Sequence, residues 1–219
     1  MKLLIGTNNT KKLKELQEIL GESDIELLSL RDVNIEVEIE ETGATFEENA
    51  LIKARALHKM TGMATLADDS GLVVDALGGA PGVFSARYSG VEGSEKDNAN
   101  MDKLLKELAP FGESERGAHF ACAIAFVDEA GAEQVVEGRC NGRIGFEKRG
   151  EYGFGYDPLF VVDGFDGRTM AELPAAKKNS ISHRGDALKK FKKILELGAE
   201  SKQEDRHRTA KSRRMEQGL

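Results

Sequence analysis

Cysteine is scarce in this chain of 219 residues, with Cys122 and Cys140 its only two. Their spacing matches neither a disulfide framework nor a structural zinc site. No apolar run approaches the roughly 20 residues that span a bilayer. The opening stretch Met1 to Asn9 has too short an apolar segment for a signal peptide. These absences argue against a disulfide-stapled or membrane-spanning chain and set the expectation of a reducing cytoplasm. Positive charge is also in deficit: the formal net charge is −7. That balance disfavours a general nucleic-acid binder and, read naively, any polyanionic ligand. H-E-x-x-H and G-x-S-x-G patterns are missing, so nothing leads to zinc or a nucleophilic triad.

What is present is an ordinary globular composition, 40% hydrophobic and 32% charged. The length suits one domain, or two small ones, with a real core. Glycine is plentiful at 24 residues, and its clustering points to functional loops.

Residues 2–6 read as a short buried strand. Leu13, Leu16, Ile19 and Leu20 follow at helical spacing over 11–20. Residues 25–30 read as a second strand. Over 35–41, Ile35, Val37 and Ile39 alternate with Glu36, Glu38 and Glu40, which predicts a further strand. Thr45 and Glu48 fit a capping box opening a helix to about Met60. Residues 64–67 form a short apolar strand running into Asp68-Asp69-Ser70-Gly71, and 78–93 read as glycine-rich loop. A helix is predicted over 97–108, a strand pair over 117–127 and 133–140, and a strand over 158–162. Ser182 can cap a final helix with Leu188, Phe191, Ile194 and Leu195 inward. The intermixing of strands and helices predicts an α/β fold with a mixed sheet. Residues 198–219 differ: six Lys/Arg stand against four Asp/Glu with almost no apolar residues. They read as a solvated tail, with contact to RNA or a partner as the minority alternative.

Four constellations carry chemistry. Gly6-Thr7-Asn8-Asn9-Thr10-Lys11-Lys12 joins a strand to a helix, where unpaired N–H groups and the helix dipole suit phosphates. It is neither a Walker A loop nor a G-x-G-x-x-G fingerprint. Asp68-Asp69 closes an apolar strand, and adjacent carboxylates repel unless a cation or proton intervenes. Together with Glu36, Glu38, Glu40 and Glu41 they offer hard oxygen ligands of the kind that suit Mg²⁺, although Glu36 and Glu38 read equally well as a solvated face. In Gly153-Phe154-Gly155-Tyr156-Asp157-Pro158, two aromatics between glycines can present a flat wall to a nucleobase, or can simply be core. Lys178 and Ser182-His183-Arg184-Gly185 place cations beside a helix start, an anion or carbonyl-oxygen site. Together these point to a nucleotide phosphate held with Mg²⁺.

The chain resembles the Ham1-like family of inosine/xanthosine triphosphate pyrophosphatases. The resemblance rests on Thr7-Asn8-Asn9-Thr10-Lys11-Lys12, Glu40-Glu41-Thr42-Gly43, Thr45-Phe46-Glu47-Glu48-Asn49-Ala50 and Ala67-Asp68-Asp69-Ser70-Gly71-Leu72. It continues in Leu77-Gly78-Gly79-Ala80-Pro81-Gly82-Val83, Ser85-Ala86-Arg87-Tyr88-Ser89-Gly90, Gly153 to Pro158 and Ile181-Ser182-His183-Arg184. The matches fall in family order over residues 2 to about 197, so a single pyrophosphatase domain over 1–197 and a tail over 198–219 are expected.

The resemblance implies two α/β lobes around a long twisted mixed sheet, with the active site in the cleft. It implies Mg²⁺-dependent hydrolysis of ITP, dITP and XTP to the monophosphate and pyrophosphate, and a homodimer without membrane or nucleic-acid partners. Thr7, Asn8, Asn9, Thr10, Lys11 and Lys12 match the phosphate-gripping loop. Asp69 matches the proton acceptor and a metal ligand, and Glu40 the other ligand, with Glu41 adjacent and on the opposite face if the strand continues. Ser70, Phe154, Gly155, Tyr156, Asp157, Lys178, His183 and Arg184 match substrate contacts. Lys177 neighbours Lys178, but the spacing to Ile181 favours Lys178. A donor from Arg184 or His183 would meet the 6-oxo group of hypoxanthine and clash with the amino group of adenine. Glu151-Tyr152-Gly153 departs from the Thr-Gly-Gly common in the family, at the edge of the base pocket.

Overall fold

The computed structural model describes residues 1–20 and 25–195. The expected tail over 198–219 lies outside the described residues. Six strands form one sheet in the order β2-β1-β3-β4-β5-β6. These are β1 (Lys2–Ile5), β2 (Glu26–Ser29), β3 (Thr65–Val74), β4 (Gly117–Val127), β5 (Glu133–Ile144) and β6 (Phe160–Val162). β1 pairs in parallel with β2 and β3, and every pairing from β3 to β6 is antiparallel. The mixed α/β sheet expected from the sequence is therefore present.

Helices α1 (Thr10–Leu20), α2 (Phe46–Thr61), α3 (Lys96–Glu107) and α4 (Ala175–Ile181) pack around it. A further helical stretch, α5, covers 183–195. Thr45 caps α2 by accepting the Glu48 N–H at 3.1 Å, and Gly62 closes it in the left-handed region. Ser182 caps α5 by accepting the Gly185 N–H at 3.0 Å, as its sequence predicts. The seven residues of α4 have no counterpart in the sequence reading, because a two-turn helix is too short to show a period.

Two long strands hold the lobes together. Leu66 of β3 and Ile124 and Phe126 of β4 pack with Leu3, Ile5, Leu16, Leu188 and Phe191 in one core. Leu72 and Phe120, further along the same two strands, pack with Met101, Leu104, Phe160 and Met170 in another. Asp68-Asp69-Ser70-Gly71 lies between these cores, in the middle of a continuous β3 of 10 residues. The sequence placed it at a strand end. The polar interruption marks a passage between lobes, and the backbone ladder to β4 runs through it unbroken.

Residues 35–41 form no strand, contrary to expectation. They run extended, with Ile35, Val37 and Ile39 packed against Leu4, Leu30 and Leu57. Packing one side of an extended chain on a core produces a period of two without a hydrogen-bonded neighbour.

α5 lies directly on β5 at Gly138. A Cβ there would collide with the His183 carbonyl and approach the Ala187 nitrogen at 2.5 Å. Gly138→Ala should therefore push away the helix that carries His183 and Arg184 and cost about 1–3 kcal/mol. Urea unfolding checks this; an unchanged midpoint would show that α5 adapts freely.

Candidate active site

A cavity of about 850 Å³ opens between the lobes. It is lined by Thr7, Asn8, Asn9 and Lys12 from the first loop, by Glu40 and Glu41, and by Asp69 and Ser70 of β3. Phe154, Gly155, Tyr156, Asp157, Lys178, His183 and Arg184 complete the wall. Asp68 and Glu36 of the acidic group are absent from this wall, and the residues matched to substrate and metal contacts converge with two exceptions. Thr10 lines a neighbouring cavity, and Lys11 reaches the site only through its ammonium, 5.6 Å from the Phe154 ring centre.

The first loop is held by its own side chains. Asn9 Oδ1 accepts the N–H groups of Lys11 and Lys12 at 3.0 and 3.2 Å, as an N-cap does. Asn8 Nδ2 donates to the Val37 carbonyl at 3.0 Å, fastening the loop to the extended segment.

The two adjacent aspartates do not face each other, because successive strand residues point to opposite sides of the sheet. Asp68 turns towards α1 and α5. Its Oδ2 lies 3.0 Å from Lys12 Nζ and 3.3 Å from both Nε and Nη2 of Arg184. Burial alone would raise its pKa, but Lys12, Arg184 and Lys53 outweigh that and hold the carboxyl well below its usual range. Asp69 turns towards α2. Its Oδ1 accepts the Ser70 N–H at 2.9 Å and its Oδ2 accepts Asn49 Nδ2 at 3.1 Å. Lys53 Nζ is 3.9 Å away. Here burial dominates; Lys53 opposes it, Glu41 adds to it, and the Asp69 pKa is raised.

Glu41 is occupied: its Oε1 accepts Lys53 Nζ at 2.5 Å, and Arg87 lies 4.0 Å from its Oε2. Glu40 is exposed at the cavity and, among the described residues, carries no hydrogen bond or ion pair. Asp69, with Lys53 at 3.9 Å, and Glu40, without a partner among the described residues, thus line one cavity. No group of three or more His, Cys, Asp or Glu that could hold a metal ion exists among the described residues. That donor set suits Mg²⁺, which commonly takes one or two carboxylates and completes its shell with water and substrate phosphates.

The base-side loop splits its aromatics. Tyr156 is 5% exposed and donates its hydroxyl to the Ser85 carbonyl at 3.0 Å, so it is core with an edge on the cavity. Phe154 is the free wall, with Lys178 Nζ 4.6 Å from its ring centre. Gly153 has φ +78°, and a Cβ there would collide with the Asp157 carboxylate. That carboxylate accepts the Phe154 N–H at 2.9 Å and Lys178 Nζ at 2.8 Å. Asp97 Oδ2 accepts the Gly155 N–H at 3.0 Å, tying the loop to α3.

Sequence reasoning missed Glu15, which sits behind this wall. It accepts Lys178 Nζ at 2.8 Å and also Nη1 of Arg184. Burial opposes the charge on Lys178, but Asp157 and Glu15 outweigh it and raise its pKa. Asn49 and Lys53 were missed too, although their i, i+4 spacing on α2 is a readable signal of one helix face. Glu15 gives no such signal on a helix rich in solvated charge. Arg184 is 2% exposed and its guanidinium also reaches Ser70 Oγ at 2.9 Å; a guanidinium carries more N–H donors than these bonds use. His183 stacks on Phe120 with ring centres 4.9 Å apart. Burial, with Arg184 and Lys178 beside it, pushes its pKa well below the usual value.

A profile of the Ham1 family matches residues 3–194. A dITP/XTP pyrophosphatase of Bacillus subtilis is 50% identical over 193 residues, which is 88% of this chain and 96% of that protein. One of Corynebacterium efficiens is 52% identical over 86% of this chain and 94% of its own. The solved structure of a HAM1 protein from Coxiella burnetii superposes with a TM-score of 0.81 at 43% identity, over 90% of this chain and 99% of that one.

The neutral, buried His183 has a consequence for stability. The unfolded chain takes up a proton there below about pH 6.5 and the folded chain does not. The unfolded state then binds more protons, so this contribution lowers stability as pH falls through that value. Wild type should lose more unfolding free energy between about pH 7.5 and 5 than His183→Asn. Parallel losses in urea titrations would show that His183 charges freely in the fold.

Proposed function

The chain belongs to the Ham1 family, and from that premise we propose that it is a Mg²⁺-dependent pyrophosphatase acting on non-standard purine nucleoside triphosphates such as dITP, XTP and ITP. The products are the nucleoside monophosphate and pyrophosphate. The observation that carries this reading is the division of charge within one cavity. Asp69 and Glu40, the latter without a partner among the described residues, offer carboxylate oxygens to the same cavity that Lys12, Lys178 and Arg184 line.

In this reading Mg²⁺, when bound, neutralises phosphate charge and orients the leaving pyrophosphate. Glu40 and Asp69 are the residues that would hold it. Asp69, whose carboxylate lines the cavity, also accepts the proton of the water that attacks the α-phosphorus. Lys12 and the loop Thr7 to Asn9 bind phosphate oxygens and stabilise the charge that grows on the leaving group. Phe154 stacks against the base. Arg184 and His183, held by Glu15 and Phe120, offer hydrogen bonds to a 6-oxo purine. An adenine amino group would leave those buried donors unpaired.

The resemblance supports a homodimer, and the chain's low cysteine content supports a cytoplasmic setting. No described helix is long and apolar enough to cross a membrane. The net charge of −7 supports a free nucleotide over a nucleic acid as the ligand.

With Mg²⁺, dITP should yield dIMP and pyrophosphate, and dATP should react at least about 100-fold more slowly. Release of orthophosphate, or equal rates on dATP, would contradict the assignment. Asp69→Asn should lower kcat by roughly 10²–10⁴-fold with the fold intact. Turnover near that of wild type would remove Asp69 from the base role.

A further inference from the structure

We propose that Asn49 is a positioning residue that sets the placement of the Glu40-bearing loop relative to Asp69. The inference rests on the reading of Asp69 and Glu40 as the metal-holding pair. Asn49 is fully buried on α2 and is absent from the cavity wall. Its amide faces two ways. Nδ2 donates to Asp69 Oδ2 at 3.1 Å, and Oδ1 accepts the Gly43 N–H at 2.8 Å. One planar group therefore spans β3 and the loop that follows the extended segment 35–41.

The amide acts together with two other anchors of this stretch, Ile39 against the core and Glu41 on Lys53. Glu40, in the extended segment just before the loop, belongs to no strand and has no side-chain partner among the described residues, so its carboxylate goes where the backbone goes. The contact at Gly43 is close: a Cβ there would stand 2.6 Å from Glu48 Cβ and 2.7 Å from Asn49 Oδ1. Only a residue without a side chain lets the loop approach the amide. An aspartate at position 49 would repel Asp69, and a serine is too short to reach both partners. Groups that orient metal-holding carboxylates commonly change metal affinity or activity by about 10–100-fold when removed.

The test uses Asn49→Ser and Gly43→Ala, which break the same contact from its two ends. Mn²⁺ binding to the nucleotide-free full chain, followed by electron paramagnetic resonance, should weaken by about 10-fold or more in both variants. The kcat for dITP should fall by a similar factor, while KM at saturating Mg²⁺ moves no more than about twofold, since Asn49 does not touch substrate. Melting temperature checks the fold. Gly43→Ala keeps the buried Asn49 side chain and presses on the exposed Glu48 and on the amide itself, so it decides the matter if Asn49→Ser does not fold. Mn²⁺ affinity equal to wild type in a folded variant would overturn the proposal, as would a KM that rises in step with the fall in kcat. The Mn²⁺ measurement is independent of turnover. A wild-type chain that binds Mn²⁺ but leaves dITP intact would count against the pyrophosphatase reading and not against Asn49.

Discussion

A buried lattice of opposite charges holds the cleft together. Lys12, Lys178 and Arg184 face Glu15, Asp68 and Asp157, with most of these side chains almost wholly removed from solvent. The six charges come from five places: α1 supplies Lys12 and Glu15, β3 supplies Asp68, the base-side loop supplies Asp157, and α4 and α5 supply Lys178 and Arg184. No single element can bury its own charge without the others, because an isolated buried ion costs several kcal/mol. The lattice therefore fixes relative positions where apolar packing alone would tolerate slippage between the two cores.

The same lattice places positive groups at the cavity of an acidic protein. Asp68, Glu15 and Asp157 are consumed internally, holding cations at the back of the cavity. Asp69 lies on the opposite face of β3, where burial outweighs Lys53 and raises its pKa. The strand's alternation thus sends one carboxylate into the buried lattice and its neighbour to the cavity wall. The acidic excess of the chain is local: Glu40 and Asp69 line the same cavity as Lys12, Lys178 and Arg184.

Much of this was legible in the sequence. The strand and helix pattern, the Thr45 and Ser182 caps, and most residues of the cavity wall follow from periodicity, capping chemistry and motif resemblance. The limits are physical. Alternation over 35–41 reports one-sided packing and cannot report a hydrogen-bonded neighbour. Asp68-Asp69 breaks an apolar run without breaking the strand, because the backbone ladder does not depend on side-chain polarity. α4 is too short for a period. Glu15 sits on a helix with many charged residues, and only the approach of α4 and α5, more than 150 residues away in the chain, makes it different from a solvated glutamate. The choice between Phe154 and Tyr156 as the free aromatic wall likewise depends on Ser85, a contact 71 residues away in the chain.

The most direct test of this account is a double-mutant cycle between Glu15→Gln and Asp68→Asn, read by unfolding free energy. The two carboxylates share Arg184 as a partner. A lattice that acts as a unit predicts a coupling of roughly 1 kcal/mol or more. Losses that add to within about 0.5 kcal/mol would show that the pairs are independent and that the cleft is held by its apolar cores.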